Sequence, residues 1–372
     1  MIPFIDLQAQ RRRLGAPLTN AINAAVEGGQ WIMGPQVQAL EAQLAEFAGV
    51  KHAIACANGT DALLIVLRAW GIGPGDAVFV PAFTFAASAE VVALVGASPV
   101  FVDVLEDTFN MDPASLEAAI ALVRRDGKLT PRAVMPVDLF GQPADYRKLE
   151  PIVARENLKM LCDAAQGFGG LLDGRRSGGI GDAASTSFFP AKPLGCFGDG
   201  GASFTNDDGL AELLRSIRIH GQGTDKYENV RIGVNSRLDT IQAAILIEKL
   251  KIFPEEIELR EMVAQRYGSA FAASNKIIVP RVIDGAQSTW AQYTIQVGNR
   301  DGLQVALKAK EIPTAVYYPI PLSRQKGYAH YPSAPIPVCE RLSKTVVSLP
   351  MHPYLDAPTQ DRIIAAVLDA VQ

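Results

Sequence analysis

The sequence predicts an α/β protein: a large domain built on a mostly parallel sheet, followed by a smaller α+β domain. Three observations carry this expectation. From Lys51 to about Thr205, short apolar or β-branched runs alternate with amphipathic stretches, the pattern of strand and helix units wound around a parallel sheet. Over 238–250 a helical run free of Gly and Pro predicts a helix ending near Pro254, with a second helix over 255–271 leading out of the large domain. A chain of 372 residues is too long for one small core, so two domains are expected, 1–250 and 251–372.

Taken in order, the runs at 78–81, 99–104, 133–137, 158–163, 184–188 and 201–205 predict strands, with helices such as 60–70 and 113–123 between them. Beyond the boundary the pattern predicts a strand over 290–297, a helix over 301–310, a strand over 314–318 and a last helix over 359–371. Neither internal repeats nor low-complexity segments interrupt this order. Sheets of this class bind ligands beyond the carboxyl ends of their strands, so the residues just after each run are the first candidates for chemistry.

Composition narrows the classes of partner. Hydrophobic residues at 48% and charged residues at 20% are the balance of a globular protein. A formal net charge of -4 argues against binding a nucleic-acid backbone, so any phosphate recognised here belongs to a small molecule. Cys56, Cys162, Cys196 and Cys339 lie far apart and form neither a zinc-ligand pair nor a redox dithiol, which predicts buried thiols in a reducing compartment. No basic leader with an apolar run and no apolar stretch of membrane-spanning length occurs, so neither secretion nor a membrane is expected and the predicted location is the cytoplasm. The triplet at 11–13, all arginine, reads as a solvated helix face.

Four places could carry chemistry. Asn58-Gly59-Thr60-Asp61 precedes an apolar helix, whose free amides and positive dipole end could hold a phosphate; a Thr or Asp N-cap after a Gly turn explains the same residues. Asp163 ends an apolar strand, where a carboxylate is costly without a cationic partner such as a protonated pyridine nitrogen, or else caps the next segment. Lys192 follows another strand among apolar neighbours, where desolvation would free the amine as a nucleophile toward an aldehyde, or where it simply snorkels. His220 lies in a polar loop and either lines a site or faces solvent. His52, His330 and His352 are scattered without ligand spacing, and no metal is expected.

The set is more specific than its members: a helix start, an aromatic after the next strand at Phe83 or Phe85, a strand-end Asp, then Ser and Lys, in that order. In this it resembles the sugar aminotransferases of the DegT/DnrJ/EryC1/StrS family, over nearly the whole chain from Phe4-Ile5-Asp6-Leu7 to Ser348-Leu349-Pro350-Met351-His352-Pro353-Tyr354-Leu355. The resemblance implies the pyridoxal-phosphate-dependent transferase fold of type I, with a mostly parallel seven-stranded sheet. It implies that Lys192 holds pyridoxal 5'-phosphate covalently and shuttles the proton, that Asp163 keeps the pyridine nitrogen protonated, and that Gln166 sits near the ring hydroxyl. Phe85 would stack on the ring, and Gly59, Thr60 and Ser187 would hold the phosphate.

The segment Gly233-Val234-Asn235-Ser236-Arg237 resembles a loop that enters the neighbouring subunit's site, which implies a homodimer with shared active sites, Asn235 on the phosphate and Arg237 close to substrate. Asn58–Leu63, the strand-to-lysine segment at 187–196 and the segment at 234–240 are most similar to members acting on UDP-linked 2-acetamido-3-oxo-glucuronate, which implies a nucleotide-sugar substrate, an amino-acid donor and surface-polysaccharide synthesis. Relatives that dehydrate sugars carry histidine at the lysine position, so Lys192 favours amination over dehydration or mere sugar binding. One departure is Tyr317: the matching segment of those relatives has histidine there, facing substrate, beside Tyr318.

Overall fold

The computed structural model describes residues 2–371 except Lys226. Helices α1 (Leu7–Glu27) and α2 (Pro35–Ala48) lead into β1 (His52–Cys56), α3 (Gly59–Ala69), β2 (Asp76–Pro81), α4 (Ala87–Leu94) and β3 (Ser98–Val102). Next come α5 (Pro113–Asp126), β4 (Thr130–Val134), α6 (Tyr146–Glu156), β5 (Lys159–Asp163) and a short ribbon, β6 (Leu171–Leu172) with β7 (Arg175–Arg176). Then follow β8 (Ala183–Ser187), β9 (Gly201–Thr205) and α7 (Asp208–Ile217). The large sheet has seven strands in the order β1-β9-β8-β5-β4-β2-β3, and only β9 runs against its neighbours. This is the mostly parallel α/β sheet the sequence predicts.

Both faces of that sheet are covered, which is why its strands read as continuous apolar runs rather than alternating ones. In β2, Ala77 and Phe79 enter a core with Leu40 and Leu44 of α2 and Leu116 and Ile120 of α5. Its Val78 and Val80 point the other way, into a core with Leu63 and Val66 of α3 and Val91 and Val92 of α4. Because β9 opposes both β1 and β8, the carboxyl ends of β1, β2, β5 and β8 share one rim of the sheet.

The predicted helix break near Pro254 is absent: α8 runs unbroken over Thr240–Phe271 with Pro254 inside it. The proline is exposed, and fully buried Phe253 on one side and Ile257 on the other hold the turn in register, so tertiary packing overrides the local cost of the missing donor. Residue 250 therefore lies inside a helix rather than in a linker. Leu246, Phe253 and Ile257 of α8 serve the large core, and Val263, Tyr267 and Phe271 serve a second one. That second core packs α9 (Arg300–Ala309) and α11 (Ala357–Ala370), with α10 (Pro337–Thr345) between them in the chain, against an antiparallel sheet in the order β10 (Ile277–Ile278), β12 (Tyr293–Val297), β13 (Val346–Leu349). Between β10 and β12, β11 (Ala286–Gln287) pairs instead with β6. The strand predicted over 314–318 is a second correction. Only Ala315 pairs, with Ser348 of β13, and the chain then leaves the sheet between Pro313 and Pro319.

The arginine triplet lies on exposed α1, with Arg12 paired to Asp6 and Arg13 to Glu255. All four cysteines are free and buried. No helix among the described residues is long and apolar enough to cross a membrane.

His352 is 2% exposed, and neither ring nitrogen has a hydrogen-bond partner among the described residues. Burial, with the Arg260 charge nearby and Asp6 and Asp356 opposing, pulls its pKa down to about 4. The ring is thus neutral in the fold but takes a proton in the unfolded chain below about 6.5. Stability contributed by this residue is present above pH 6.5 and is lost as pH falls from there toward 4. Relative to His352→Asn, the wild-type protein should lose up to about 3 kcal/mol across that window, measured by denaturant unfolding at several pH values. Parallel stability curves for the two proteins would show that the ring is not the titrating group.

Candidate active site

The ends of β1, β5 and β8 carry several of the predicted residues to one rim. At the end of β1, Asn58 caps α3: its side-chain oxygen accepts from Asp61 N at 2.8 Å. The cap is therefore Asn58, not Thr60 or Asp61, and the first-turn amides of Gly59 and Thr60 are left without intrahelical acceptors. A Cβ on Gly59 would lie 2.5 Å from Ser187 Cβ, so the helix start is seated directly on the end of β8 and only glycine fits there. Ser187 Oγ accepts from Phe189 N at 3.2 Å and keeps its proton to donate. Two free amides, a helix dipole and a hydroxyl form an anion cradle.

Asp163, at the end of β5, is 5% exposed. Its Oδ1 accepts from Ala165 N at 3.1 Å and its Oδ2 from Ser88 Oγ at 2.9 Å. No helix follows for it to cap. Desolvation raises its pKa, while the Ala165 amide, Ser88 and the Lys192 charge act in the opposite direction. Lys192 is half-buried, with its backbone amide donating to Phe189 O at 2.8 Å. Desolvation lowers the pKa of its ammonium against the attraction of Asp163, which makes the free amine more available as a nucleophile.

Aromatic residues form one wall. Phe83 is fully buried and packs edge-on to Tyr318 at 6.0 Å, whereas Phe85 is 58% exposed, 6.5 Å from the same ring, and is the aromatic with a face to offer. Gln166 is more committed than the resemblance implies. Its oxygen accepts from Phe140 N at 2.8 Å and its nitrogen donates to Tyr318 OH at 3.1 Å, which leaves one N–H for a ring hydroxyl. Tyr317 is half-buried against Tyr318 at 5.8 Å; burial raises its phenol pKa, and its hydroxyl has no hydrogen-bond partner among the described residues.

Gly59, next to Thr60, abuts Ser187; Asp163 and Lys192 interact through their charges; and Phe85, Gln166, Tyr317 and Tyr318 meet in one wall. His220 and Arg237 line a different groove, of about 890 Å³, with Ile32, Met33, Arg231 and Ile232. Asp163, Gln166 and Lys192 are not among the residues of its wall. His220 is exposed, Asn235 is exposed beside the groove, and Arg237 has no ion-pair partner among the described residues. Sequence reasoning overlooked Thr84, in the bend after β2, and Ser88, in the first turn of α4, although two hydroxyls so close to the carboxyl end of a strand could have been noticed.

The donor set fits pyridoxal 5'-phosphate: a phosphate cradle at α3, a carboxylate for a protonated ring nitrogen, an amine for the aldehyde carbon and an aromatic face for the ring. Comparison with known proteins gives the same answer. The pattern of the DegT/DnrJ/EryC1/StrS aminotransferase family matches residues 13–368. The UDP-2-acetamido-2-deoxy-3-oxo-D-glucuronate aminotransferase of Pseudomonas aeruginosa is 49% identical over 99% of each chain. A DegT DnrJ EryC1 StrS aminotransferase from Brucella abortus superimposes with a TM-score of 0.98 at 53% identity, covering all of both chains. The ntda protein of Bacillus subtilis, solved with bound cofactor PMP, superimposes with a TM-score of 0.89 at 29% identity, over all of this chain and 85% of its own. The chain belongs to the DegT/DnrJ/EryC1/StrS aminotransferase family and is a pyridoxal-phosphate-dependent enzyme.

Proposed function

We propose that this enzyme moves an amino group from glutamate to a nucleotide-linked keto sugar, and that the acceptor is C3 of UDP-2-acetamido-2-deoxy-3-oxo-glucuronate, in surface-polysaccharide synthesis. The observation that carries the reaction is the desolvated Lys192 amine beside the buried Asp163 carboxylate, on the rim where α3 offers its amides. Support for the sugar comes from the Pseudomonas aeruginosa relative at 49% identity. When bound, the cofactor supplies a carbonyl that takes up nitrogen and a ring that delocalises an electron pair. Asp163 holds the proton on the ring nitrogen. Lys192 Nζ takes the proton from the substrate carbon that bears nitrogen and hands it on, a step worth roughly a hundred- to ten-thousand-fold in rate for a positioned base. Gly59, Thr60 and Ser187 anchor the phosphate, and Phe85 covers one face of the ring.

We also propose that the enzyme works in the cytoplasm as a homodimer. Four buried free thiols suit a reducing compartment. Exposed Trp31, Ile32, Val230 and Ile232 at and beside the groove of Arg237 form an apolar surface suited to a second copy, which would bring Asn235 and Arg237 to the partner's cofactor. Arg237, with no ion-pair partner among the described residues, suits the carboxylate or diphosphate of the substrate.

Three experiments test this reading. Glutamate added to the yellow loaded protein should bleach its visible band as 2-oxoglutarate appears, and the UDP-3-keto sugar should restore it with nitrogen now on the sugar. A protein that consumed the keto sugar without taking nitrogen from glutamate would be a dehydratase. Lys192→Ala and Asn235→Ala, each inactive alone, should regain activity when mixed, since one site of the heterodimer then holds both wild-type residues. Demonstrated subunit exchange without recovery would rule out sharing. Finally, Tyr317→Phe should weaken substrate use by about 0.5–3 kcal/mol in kcat/KM, depending on whether the lost partner is neutral or charged, and leave the cofactor spectrum unchanged. Wild-type kinetics with both substrates would reduce Tyr317 to a packing residue.

A further inference from the structure

We propose that Ser88 is a positioning residue for Asp163, backed by Thr84, so that two hydroxyls from the segment after β2 set the charge and orientation of the carboxylate that meets the cofactor's ring nitrogen. The inference rests on the assignment of pyridoxal phosphate to this rim.

Proton accounting fixes the direction of the relay. Ser88 is fully buried and its Oγ lies 2.9 Å from Asp163 Oδ2. An ionised carboxylate can only accept, so Ser88 spends its single proton there. Thr84 Oγ1 lies 3.2 Å from the same Ser88 oxygen and is 2% exposed. Since Ser88 has no second proton, Thr84 donates to it. A donor that is itself a polarised acceptor binds an anion more strongly than an isolated hydroxyl does.

Geometry makes the relay specific to the cofactor. Oδ2 is tied to Ser88 and Oδ1 to the Ala165 amide, so the carboxyl plane is pinned at both oxygens while one lone pair on each stays free. Phe85 sits between Thr84 and Ser88 in the chain and is the exposed aromatic, so one turn supplies both the ring's stacking face and the donor to its nitrogen partner. Displacing that turn would move both together. Buried without Ser88, Asp163 would keep the Ala165 amide and the Lys192 charge as its only compensation, and its carboxyl would draw the proton away from the ring nitrogen.

The test reads the cofactor, not turnover. In Ser88→Ala, the ring nitrogen is less fully protonated and withdraws less charge, so the nitrogen of Lys192 keeps its proton to higher pH. The pH midpoint of the visible band should rise by about half a unit or more, and affinity of the apo-protein for pyridoxal phosphate, from fluorescence quenching, should fall about tenfold, as expected for a lost charge-assisted hydrogen bond. Ser88→Thr should restore both, and Thr84→Val should shift the midpoint the same way by less. A folded Ser88→Ala with wild-type midpoint and affinity overturns the proposal, as does a lowered Tm with no shift in midpoint. If Ser88→Ala does not fold, Thr84→Val decides: an unmoved midpoint overturns the relay. None of these readouts needs a sugar, so failure of the proposed sugar reaction would appear separately, as wild-type protein that binds cofactor but does not aminate the keto sugar.

Discussion

A carboxylate placed in a nearly dry site is the constraint around which this fold is organised. Asp163 is almost fully buried, and an isolated charge there would be neutralised by a raised pKa. Its compensation comes from three segments that are distant in sequence: the Ala165 amide just after β5, Ser88 from the segment after β2, and the charge of Lys192 beyond β8. Only a parallel sheet whose strand ends share a rim brings these segments to one point. Burial also lowers the pKa of Lys192, so the low dielectric that makes the carboxylate costly is what makes the amine reactive.

Keeping that arrangement rigid falls largely to α8. Lys249, 1% exposed, donates from Nζ to Gly195 O at 2.5 Å and lies 4.7 Å from the ring of Phe197, which braces the loop just past Lys192. Desolvation pulls this lysine down to about 8, with Glu256 opposing. Two turns on, buried Glu256 accepts from Gln10 at 3.0 and 2.9 Å and from the Tyr354 hydroxyl, and Arg260 donates to Trp290 O at 3.0 Å. One helix thus ties the N-terminal helix, the lysine loop and the C-terminal segment into one frame. Charged groups buried this deeply are weak contributors to net stability, and their paired geometry serves better to specify one arrangement.

How much of this could be read in advance depended on the kind of signal. Strands buried on both faces announce themselves as apolar runs, so β2 to β5, β8 and β9 were legible. His52–Cys56 was not: its small Ala53 and Ala55 give no strong strand preference, and its place beside β9 is a long-range pairing. The run around Val316 has strand-like composition, yet the prolines at 313 and 319 confine its pairing to Ala315, and Val346–Leu349 takes the sheet position instead. Pro254 misled because the cost of a proline is local while the packing of Phe253 and Ile257 that outweighs it is not. At the site, Lys192 and Asp163 stood out because a charge among apolar residues needs a reason. Ser88 and Thr84 did not, since a hydroxyl after a strand is ordinary until its acceptor is known.

The segment that pairs with the small sheet at Ala315 reaches the wall of the candidate site through Tyr318. Its hydroxyl accepts from Gln166, its ring packs on Phe83 and Phe85, and burial raises its phenol pKa, so it stays a neutral hydrogen-bonding group. Gln166 in turn is held by Phe140 N, so displacement of the segment carrying Tyr318 would be felt at a residue three positions from Asp163. Tyr317 lies on that same segment, its hydroxyl without a hydrogen-bond partner among the described residues, next to a chain that leaves the small sheet after one pairing residue. A residue on a weakly paired segment, anchored through its neighbour to the cofactor wall, can change the substrate it meets without disturbing the carboxylate and amine behind it. The carboxylate and the amine sit at and just past strand ends that the large sheet holds fixed, whereas Tyr317 sits on a segment that the small sheet holds at one residue.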